Sequence, residues 1–447
     1  MSVFSTFDGA QAYLLGTIGE TLSRRTSYKL DRIRALLHEL GDPHLRYPTV
    51  HVGGTSGKGS TCTMIAAIAQ ASGRRTGLHT KPHLHSMTER ARVDGIPVSR
   101  ERFAELLGAM MPAIDRVTAT LGRPTYYETL LALAFVHFAA ERVGVAVIEV
   151  GLGGRLDGTN VVQAEVSAIT SVGYDHTDVL GDTLEAIARE KGGIARAGVP
   201  LVVGAVPDAA ERILRECART AGAPFVRVAD VVSIEAASPR PPFVQAVIAT
   251  TPSARYEIAL PVHGLFQIAN AATAIAAIER LPDALRPDAR SVERGFARVA
   301  IPGRMEVFAG APPCVLDIAH NEEKASSLVA SLRTEFRNRR MHYVVAVGES
   351  KDARQILATL SGLPASFTFT GFDVVGRHAI EPSRLVALAA SMGIAARAIR
   401  EPRDALDDVR RAADRDDVVV VTGSTFVVAT LREALLREMD DAAESSA

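Results

Sequence analysis

The chain has 447 residues, of which 47% are hydrophobic and 23% charged, and its 50 Lys and Arg nearly balance its 51 Asp and Glu. The length predicts about two or three domains, and the balanced charge argues against nucleic acid or an anionic membrane surface as the main partner. Three widely spaced cysteines without a CxxC pair indicate reduced thiols, and no apolar run approaches the roughly 18 residues of a membrane span. We therefore expect a soluble cytoplasmic protein with no nucleic-acid or membrane partner.

In chain order, apolar and β-branched runs alternate with amphipathic segments rich in Ala and Leu. In the first 300 residues, strands are predicted at residues 48–53, 145–150, 166–172 and 199–204. A helix is predicted from about Lys58 to Gly73. This alternation is typical of an α/β fold, in which helices cover both faces of a mostly parallel sheet.

The alternation of predicted strands and helices is interrupted between residues 225 and 261. Three runs there, VRVADVV, FVQAVIATT and YEIAL, look like short strands without helices between them, and they predict a small antiparallel patch. The alternation resumes after IPGR, with the runs CVLDIAH, YVVAVG, SFTFTG and VVVVTGS each followed by a helical segment. We therefore place a boundary near residue 300, between a larger domain at 1–299 and a smaller α/β domain at 300–447.

The segment GGTSGKGST joins the first predicted strand to a predicted helix. Glycines let the backbone turn its N–H groups inward, and these groups hold phosphate oxygens together with a helix N-terminus. Lys58 would reach the β- and γ-phosphates, and the hydroxyl of Ser60 or Thr61 would face Mg²⁺. The strict GxxxxGK[ST] pattern fails, because Val52 occupies its first glycine position and Gly59 follows the lysine. A glycine-rich turn with a solvated lysine is the alternative, but the strand–loop–helix context favours nucleotide binding.

Further motifs follow in order: GTSGKGS, TKPHL, ERARVDGIPVS, EVGLGGRLDGTN, a DH pair before AREKGGI, GRMEV, LDIAHN and VTGS. Through them the chain resembles the folylpolyglutamate synthase/dihydrofolate synthase family of the Mur-ligase superfamily over nearly its whole length. The resemblance implies a P-loop Mur-ligase-like domain that binds ATP at 1–299, and a Rossmann-like glutamate-ligase domain at 300–447. It implies a ligase that uses ATP to convert a pteroate or folate carboxylate to an acyl phosphate, and then couples L-glutamate to it.

The resemblance assigns ATP and Mg²⁺ to residues that match its motifs. The cofactor-binding set is Gly54, Thr55, Ser56, Gly57, Lys58, Gly59, Ser60, Thr61, Gln267, Asn270, Arg304 and Asp317. The metal-binding set is Ser60, Glu149, His176 and Lys191. In the family the matching lysine is carbamylated, which makes it an anionic oxygen ligand for a second metal, and a monovalent cation also binds.

Structural roles are the alternatives for several of these residues. Glu149 could be a surface-loop carboxylate, His176 a structural histidine, and Lys191 a lysine that the dipole of its helix favours. Asn270, in the helix that Gln267 opens, could be an N-terminal cap.

The resemblance also assigns catalytic and substrate-binding residues. The catalytic set is Lys58, His176, Lys191, Asp317 and His320. The substrate-binding set is Lys81, Tyr127, Arg155, Asp157, His320, Asn321 and Ser424. Tyr126 and Glu128 adjoin the expected acceptor site, where an aromatic side chain could stack on a flat ring, although aromatics at a helix start are also often plain core. The implied partners are small molecules, and the implied state is a monomer.

The chain departs from the family pattern at a few positions. Lys81 replaces the serine of TSPHL close to the metal and γ-phosphate, and Gly158 replaces an alanine in the acceptor-binding stretch. The other departures are Ser56, Gly192, Phe266 and Glu322. They bear on the acceptor more than on the reaction type. Two alternatives therefore stay open: the same ligase mechanism on another carboxylate or amino acid, and a non-catalytic ATP-binding regulatory protein.

Overall fold

The computed structural model describes residues 4–22, 30–236, 244–374 and 377–444. Their contacts divide them into two compact units. The first unit contains the described residues up to 236, with Ala246–Pro261 and Gln267–Val299. The second contains residues 244–245, Val262–Phe266 and the described residues from Ala300 onward. No helix in these ranges is long and apolar enough to cross a membrane.

Strands and helices alternate through the first 299 residues. The strands are β1 Thr49–Gly53, β2 Thr76–His79, β3 Arg92–Val93, β4 Ile96–Pro97, β5 Val145–Glu149, β6 Ala164–Ile169, β7 Leu201–Val203, β8 Phe225–Arg227, β9 Ser233–Ala236, β10 Gln245–Thr250 and β11 Arg255–Leu260. The helices are α1 Phe7–Leu22, α2 Asp31–Glu39, α3 Lys58–Ala71, α4 Arg100–Leu121, α5 Tyr126–Ala140, α6 Thr177–Leu180, α7 Leu184–Gly192, α8 Asp208–Ala221, α9 Val228–Val231, α10 Leu265–Ile278 and α11 Ala289–Phe296.

The first unit is built on a sheet with the strand order β4-β3-β2-β5-β1-β6-β7-β8. The strands from β2 to β8 in this order run parallel, and β3 and β4 add an antiparallel edge. Every residue of β1 and β5 is buried, as expected for strands covered on both faces. The predicted mostly parallel α/β sheet is confirmed.

Two apolar clusters pack against this sheet. One joins α1, α2, α4 and α5 to β5, with Leu14, Ile33, Phe103, Phe135 and Ile148 among its members. The other joins α7 and α8 to β6 and β7. The strands β2, β5, β1 and β6 are neighbours in the parallel sheet. Because neighbouring parallel strands end at the same edge, the loops that follow them lie together.

The predicted antiparallel patch is present, but one of its strands was assigned wrongly. A separate sheet has the order β11-β10-β9, and β9 pairs antiparallel with β10. The run VRVADVV does not belong to it: β8 extends the parallel sheet by pairing with β7, and the following residues form the short helix α9. A short valine-rich run indicates burial, but it does not identify the neighbouring strand.

The second unit continues with strands and helices in alternation. The strands are β12 Glu306–Phe308, β13 Cys314–Leu316, β14 Met341–Val345, β15 Ala365–Phe369, β16 Asp373–Val374, β17 Arg377–His378, β18 Ala396–Ala398 and β19 Val418–Thr422. The helices are α12 Glu322–Glu335, α13 Ala353–Leu360, α14 Pro382–Ser391, α15 Pro402–Ala412 and α16 Thr425–Glu444. The main sheet has the order β12-β13-β19-β14-β15-β18, and all its strands except β12 are parallel. The loops after β13 and β19 therefore leave from one edge.

Candidate active site

The loop between β1 and α3 has the backbone of a phosphate-binding loop. Gly54 and Gly57 have φ angles of 138° and 82°, which glycine adopts readily. A Cβ on Gly57 would lie 2.2 Å from Oδ1 of Asn270, and one on Gly54 would lie 2.1 Å from Oγ1 of Thr170. The first N–H groups of a helix have no acceptor within the helix, so the start of α3 at Lys58 favours an anion.

Two lysines converge on this loop. Nζ of Lys58 donates hydrogen bonds to the carbonyl oxygens of Gly54 and Thr55, at 2.8 and 2.9 Å. Nζ of Lys191, near the end of α7, donates to the same Gly54 oxygen at 2.9 Å, and this lysine is only 3% exposed. The position of Lys191 is therefore not that of a solvated lysine at a helix end.

Two hydroxyl side chains after β6 hold the other side of the loop. Oγ1 of Thr170 donates to the carbonyl of Ser56 at 2.6 Å and to that of Gly53 at 3.2 Å. Oγ of Ser171 donates to the Ser56 carbonyl and accepts the Ser56 N–H. Sequence reasoning gave these residues no role, although two adjacent hydroxyls at the end of a buried strand were a usable signal.

Glu149 ends β5 and is 3% exposed, so it is not a surface-loop carboxylate. Its Oε2 accepts the backbone N–H of Lys81 at 2.9 Å. A Cβ on Gly59 would lie 3.2 Å from the same oxygen, so the carboxylate lies against the first turn of α3, next to Ser60. The structure thus brings together three predicted elements: the phosphate loop, Glu149 and the segment of Lys81.

The residues near the loop supply too few ligands to bind a divalent metal by themselves, so water or a bound nucleotide would have to supply the others. Within the described part of the chain, no group of three or more His, Cys, Asp or Glu could hold a metal ion. The predicted set contains two such residues, Glu149 and His176, and adds the Ser60 hydroxyl and Lys191. Mg²⁺ in proteins usually keeps several waters and is bound through one or two carboxylates with substrate phosphates. The donor set therefore suits a metal that a nucleotide helps to hold.

His176 stands at the start of α6 with a φ angle of 51°. Its Nε2 lies 3.8 Å from Oδ1 of Asp175, and its side chain is 51% exposed. The exposure of its side chain shows that this imidazole is not packed in the core.

The two predicted adenine-binding amides lie together in the first turns of α10. Nδ2 of Asn270 donates to Oε1 of Gln267 at 2.9 Å, and both side chains are buried. Because Asn270 lies inside the helix, the capping alternative is wrong. Nε2 of Gln267 is buried without a hydrogen-bond partner among the described residues. A buried amide N–H beside the phosphate loop fits a nucleotide base, which offers ring-nitrogen acceptors.

Among the predicted acceptor residues, Tyr127 and Asp157 contact each other, whereas Arg155 is exposed. The hydroxyl of Tyr127 donates to Oδ1 of Asp157 at 3.3 Å, and burial raises the pKa of this tyrosine. Asp157 also accepts hydrogen bonds from Leu152 and Thr159, so its carboxylate holds the loop after β5 in shape. Arg155 is 54% exposed and pairs with Glu190.

Glu128 has a structural role at the start of α5. It forms a capping box with Thr125, and its Oε2 lies 2.7 Å from Nε of Arg32. His51 was missed by sequence reasoning: its Nε2 donates to Oγ1 of Thr159, which in turn donates to Asp157. A histidine in an otherwise apolar strand was the available signal.

In the second unit, Asp317 follows β13 and is 5% exposed. It accepts the N–H groups of Met305 and Ala319 at 2.9 and 2.8 Å. Burial raises the pKa of its carboxyl, and the charge of Arg304 opposes this shift. This carboxylate is held rigidly at the sheet edge.

The other predicted residues of the second unit share that edge. Nδ1 of His320 donates to the Ile318 carbonyl, and burial lowers the pKa of His320 to about 4, with the charge of Lys324 acting in the same direction. Asn321 caps α12 by accepting the Lys324 N–H. The loop of Ser424 adjoins them, because the N–H of Gly423 donates to the Ala319 carbonyl.

Two family models match the chain. Residues 103–278 match the Mur ligase middle domain, and residues 303–425 match the Mur ligase, glutamate ligase domain. With the phosphate loop and its lysines, they define the chain as an ATP-dependent ligase of the Mur-ligase fold, a class that forms amide bonds.

Similar proteins narrow this class. The chain is 31% identical to a dihydrofolate synthase/folylpolyglutamate synthase of Bacillus subtilis, over 97% of this chain and 100% of that protein. Escherichia coli FolC in complex with DHPP and ADP superposes with a TM-score of 0.85 at 27% identity, over 97% and 99% of the two chains. A bifunctional folylpolyglutamate synthase/dihydrofolate synthase of Yersinia pestis, complexed with AMPPNP and a Mn ion, has a TM-score of 0.81 at 30% identity, over 96% and 98%. The chain belongs to the dihydrofolate synthase/folylpolyglutamate synthase family, which confirms the resemblance found in its motifs.

Proposed function

We propose that the chain adds L-glutamate to the carboxylate of a pteroate or a folate, as a dihydrofolate synthase, a folylpolyglutamate synthase or both. The main support is the convergence of Lys58 and Lys191 on one carbonyl of the phosphate loop, with Glu149 against the same loop. A relative matched over its full length carries the names of both activities. The E. coli relative with DHPP and ADP supports the pairing of such an acceptor with a nucleotide.

The chemistry explains why cations are needed. A carboxylate is a poor electrophile, and the γ-phosphate that must activate it is also an anion, so bringing the two together requires positive charge. We propose that Lys58 exchanges its two carbonyl partners for phosphate oxygens. After transfer the acceptor carries an acyl phosphate, the amine of glutamate attacks its carbonyl carbon, and the amide forms as phosphate leaves with the bonding electrons.

Residues of the first unit would hold the cofactors. The loop residues Gly54 to Thr61 would bind the phosphates, and Gln267 with Asn270 would bind the adenine through their amides. Ser60, Glu149, His176 and Lys191 would hold Mg²⁺, which supplies charge neutralisation between the phosphate and the carboxylate. The Mn ion in the Y. pestis relative supports a divalent metal. A carbamylated Lys191 is supported by the family resemblance and by the nearby charge of Lys58, and a monovalent cation is supported by the resemblance alone.

Residues of the second unit have the remaining proposed roles. Arg304 and Asp317 would contact the nucleotide, and His320, Asn321 and Ser424 would bind the incoming amino acid. Their support is their common position at the carboxyl edge of β13 and β19. We accordingly propose residues 1–299 as the ATP-binding domain and residues 300–447 as the glutamate-ligase domain, which the two compact units support.

Lys81 and the residues around Asp157 are the proposed acceptor side. Lys81 lies on a segment that is tied to Glu149, so its ammonium group could neutralise the acceptor carboxylate beside the metal. Tyr127, Arg155 and Asp157 would contact or shape the rest of the acceptor. We also propose a monomer of the cytoplasm, and the three free cysteines support a reducing compartment.

The test is mass spectrometry of the products formed with ATP, Mg²⁺ and glutamate, with dihydropteroate and tetrahydrofolate compared as acceptors. Glutamylated product from either acceptor is expected, and it identifies which activity is present. ATP hydrolysis should require the acceptor and glutamate together. A folded, ATP-binding protein that forms no product from either acceptor would refute the proposal and favour another carboxylate.

A further inference from the structure

The last residue of β2, His79, is wholly buried, yet one of its ring nitrogens has no hydrogen-bond partner among the described residues. Nδ1 lies 2.7 Å from the carbonyl oxygen of Arg90, and because a carbonyl only accepts, Nδ1 carries the proton. Nε2 therefore has a lone pair, and no described residue donates to it. A buried acceptor without a donor destabilises the folded protein, so its presence needs a reason.

The surroundings of His79 belong to the acceptor side of the site. Its ring centroid lies 6.4 Å from that of Tyr127, whose hydroxyl is bound to Asp157. In the sheet it pairs with Ile148, the residue before Glu149. Two residues further along, the N–H of Lys81 donates to the Glu149 carboxylate. The ring of His79 thus lies beside the proposed acceptor residue Tyr127, and its strand leads into the segment that is bound to the proposed metal ligand Glu149.

The charge state of His79 limits what it can bind. Burial lowers the pKa of this imidazole to about 4, and the nearby charge of Arg90 acts in the same direction. The ring is therefore neutral near pH 7. A neutral ring nitrogen accepts hydrogen bonds from N–H and O–H groups and offers nothing to a carboxylate or phosphate.

We propose that His79 positions the acceptor substrate by accepting, at Nε2, a hydrogen bond from an N–H group of the acceptor's heteroaromatic ring. This inference rests on the proposed function, because it takes the acceptor to be a carboxylic acid that carries such a ring. Under this proposal the two ends of the acceptor bind different residues: Lys81 contacts the reacting carboxylate, and His79 contacts the ring. The amide of Gln267, by contrast, is bound to Asn270, which lies against Gly57 in the nucleotide part of the site.

The substitution His79→Asn removes the nitrogen in question and little else. The asparagine amide can take the place of Nδ1 and still donate to Arg90, but it has no atom at the place of Nε2. His44→Asn is a matched control, because His44 is also buried and one of its ring nitrogens also has no hydrogen-bond partner in the described part of the chain. It packs against Phe135, about two helical turns along α5 from Tyr127. A third variant, His79→Gln, places an amide oxygen near the position of Nε2.

The measurements are KM and kcat for the acceptor, KM for ATP, and the melting temperature without ligands. For His79→Asn we expect the acceptor KM to rise about tenfold, as the loss of one buried hydrogen bond predicts, while the ATP KM changes less than about twofold. His44→Asn should change neither KM, and both asparagine variants should melt at similar temperatures. His79→Gln should recover part of the acceptor affinity.

An unchanged acceptor KM in His79→Asn, with normal turnover by the parent protein, would overturn this inference alone. Equal rises in the KM of ATP and acceptor would also overturn it, because they would indicate a structural role. A parent protein that forms no product from dihydropteroate or tetrahydrofolate would overturn the proposed function, and this inference with it.

Discussion

Replacing Gly57 by alanine probes how tightly the phosphate loop is closed. At a φ angle of 82° a residue with a Cβ is disfavoured by about 1–2 kcal/mol relative to glycine. The new Cβ would also lie 2.2 Å from Oδ1 and 3.1 Å from Cγ of Asn270, so that side chain must move. Overpacking of this kind costs about 1–3 kcal/mol more, so Gly57→Ala should lose about 2–5 kcal/mol of stability.

The variant Gly73→Ala separates the two causes of instability, which are backbone strain and overpacking. Gly73 follows the other end of α3 with a φ angle of 86°, but no heavy atom of the described residues lies within 4 Å of its added Cβ, apart from its chain neighbours. It should therefore lose only the backbone contribution of about 1–2 kcal/mol. The double variant Gly57→Ala/Asn270→Ala removes the obstructing amide, and it should be more stable than the sum of the single changes predicts.

The assays are urea unfolding followed by circular dichroism, and ATP binding by calorimetry. Gly57→Ala should bind ATP at least about tenfold more weakly, because a displaced loop loses at least one phosphate hydrogen bond. Gly73→Ala should bind ATP normally. If the two alanine variants lose equal stability and bind ATP equally well, the close packing of Gly57 on Asn270 is refuted.

Three further predictions follow from other contacts. Lys58→Ala should abolish acceptor-dependent phosphate release with little change in melting temperature, because its ammonium lies at the phosphate loop, where it donates to the carbonyls of Gly54 and Thr55, and not in the apolar core. Unchanged turnover would contradict the phosphate-loop assignment. Glu128→Gln keeps the capping box but removes the negative charge from the partly buried pair with Arg32, so urea unfolding should show a loss of about 1–3 kcal/mol with an unchanged acceptor KM. The reverse pattern would make Glu128 a substrate ligand. Burial lowers the pKa values of His51, His79 and His320 to about 4, below the value of 6.5 that they have in the unfolded chain. As pH decreases, these histidines therefore take up protons in the unfolded chain before they do so in the folded protein. The free energy of unfolding should fall as pH decreases from 6.5 towards 4. Stability that is flat across this range would show that these rings are not held neutral.

The central strands and the phosphate loop could be predicted because their signals are local. Burial on both faces leaves continuous apolar runs such as those of β1 and β5, and a glycine-rich turn before a helix is visible within ten letters. The valine-rich run at β8 was assigned to the wrong sheet, since pairing with β7 depends on residues distant in sequence.

The contacts that define the site could not be predicted in the same way. Lys191 and Gly54 are separated by 137 residues, and Lys81 and Glu149 by 68. Family motifs named these residues without saying which atoms meet. The role of Nε2 of His79 could not be predicted for a further reason. The tautomer of this ring depends on its contact with the backbone carbonyl of Arg90, and a backbone contact cannot be recognised from the type of residue.

The meeting of Lys58 and Lys191 leads to a last prediction. Both ammonium nitrogens lie within 2.9 Å of the Gly54 oxygen, so they can be no farther apart than about twice that distance. At this separation two positive charges repel by about 3 kcal/mol for an effective dielectric constant near 20. Loss of a proton from the Lys191 ammonium, followed by addition of CO₂ to the amine with loss of a second proton, would replace this repulsion by attraction and provide an oxygen ligand for a metal.

Carbamylation of Lys191 is therefore favoured by its charged neighbour as well as by the family resemblance. With ¹³C-bicarbonate, nuclear magnetic resonance should show a carbamate carbon that Lys191→Met abolishes. Lys58→Met should weaken this signal without removing it, because it removes the stabilising cation but not the reacting amine. If no carbamate signal appears at saturating bicarbonate, the lysine remains an amine, and the repulsion must instead be relieved by the phosphates of the nucleotide. In that case ATP should bind more weakly to Lys191→Met, since a cation that contacts the phosphate loop would have been lost.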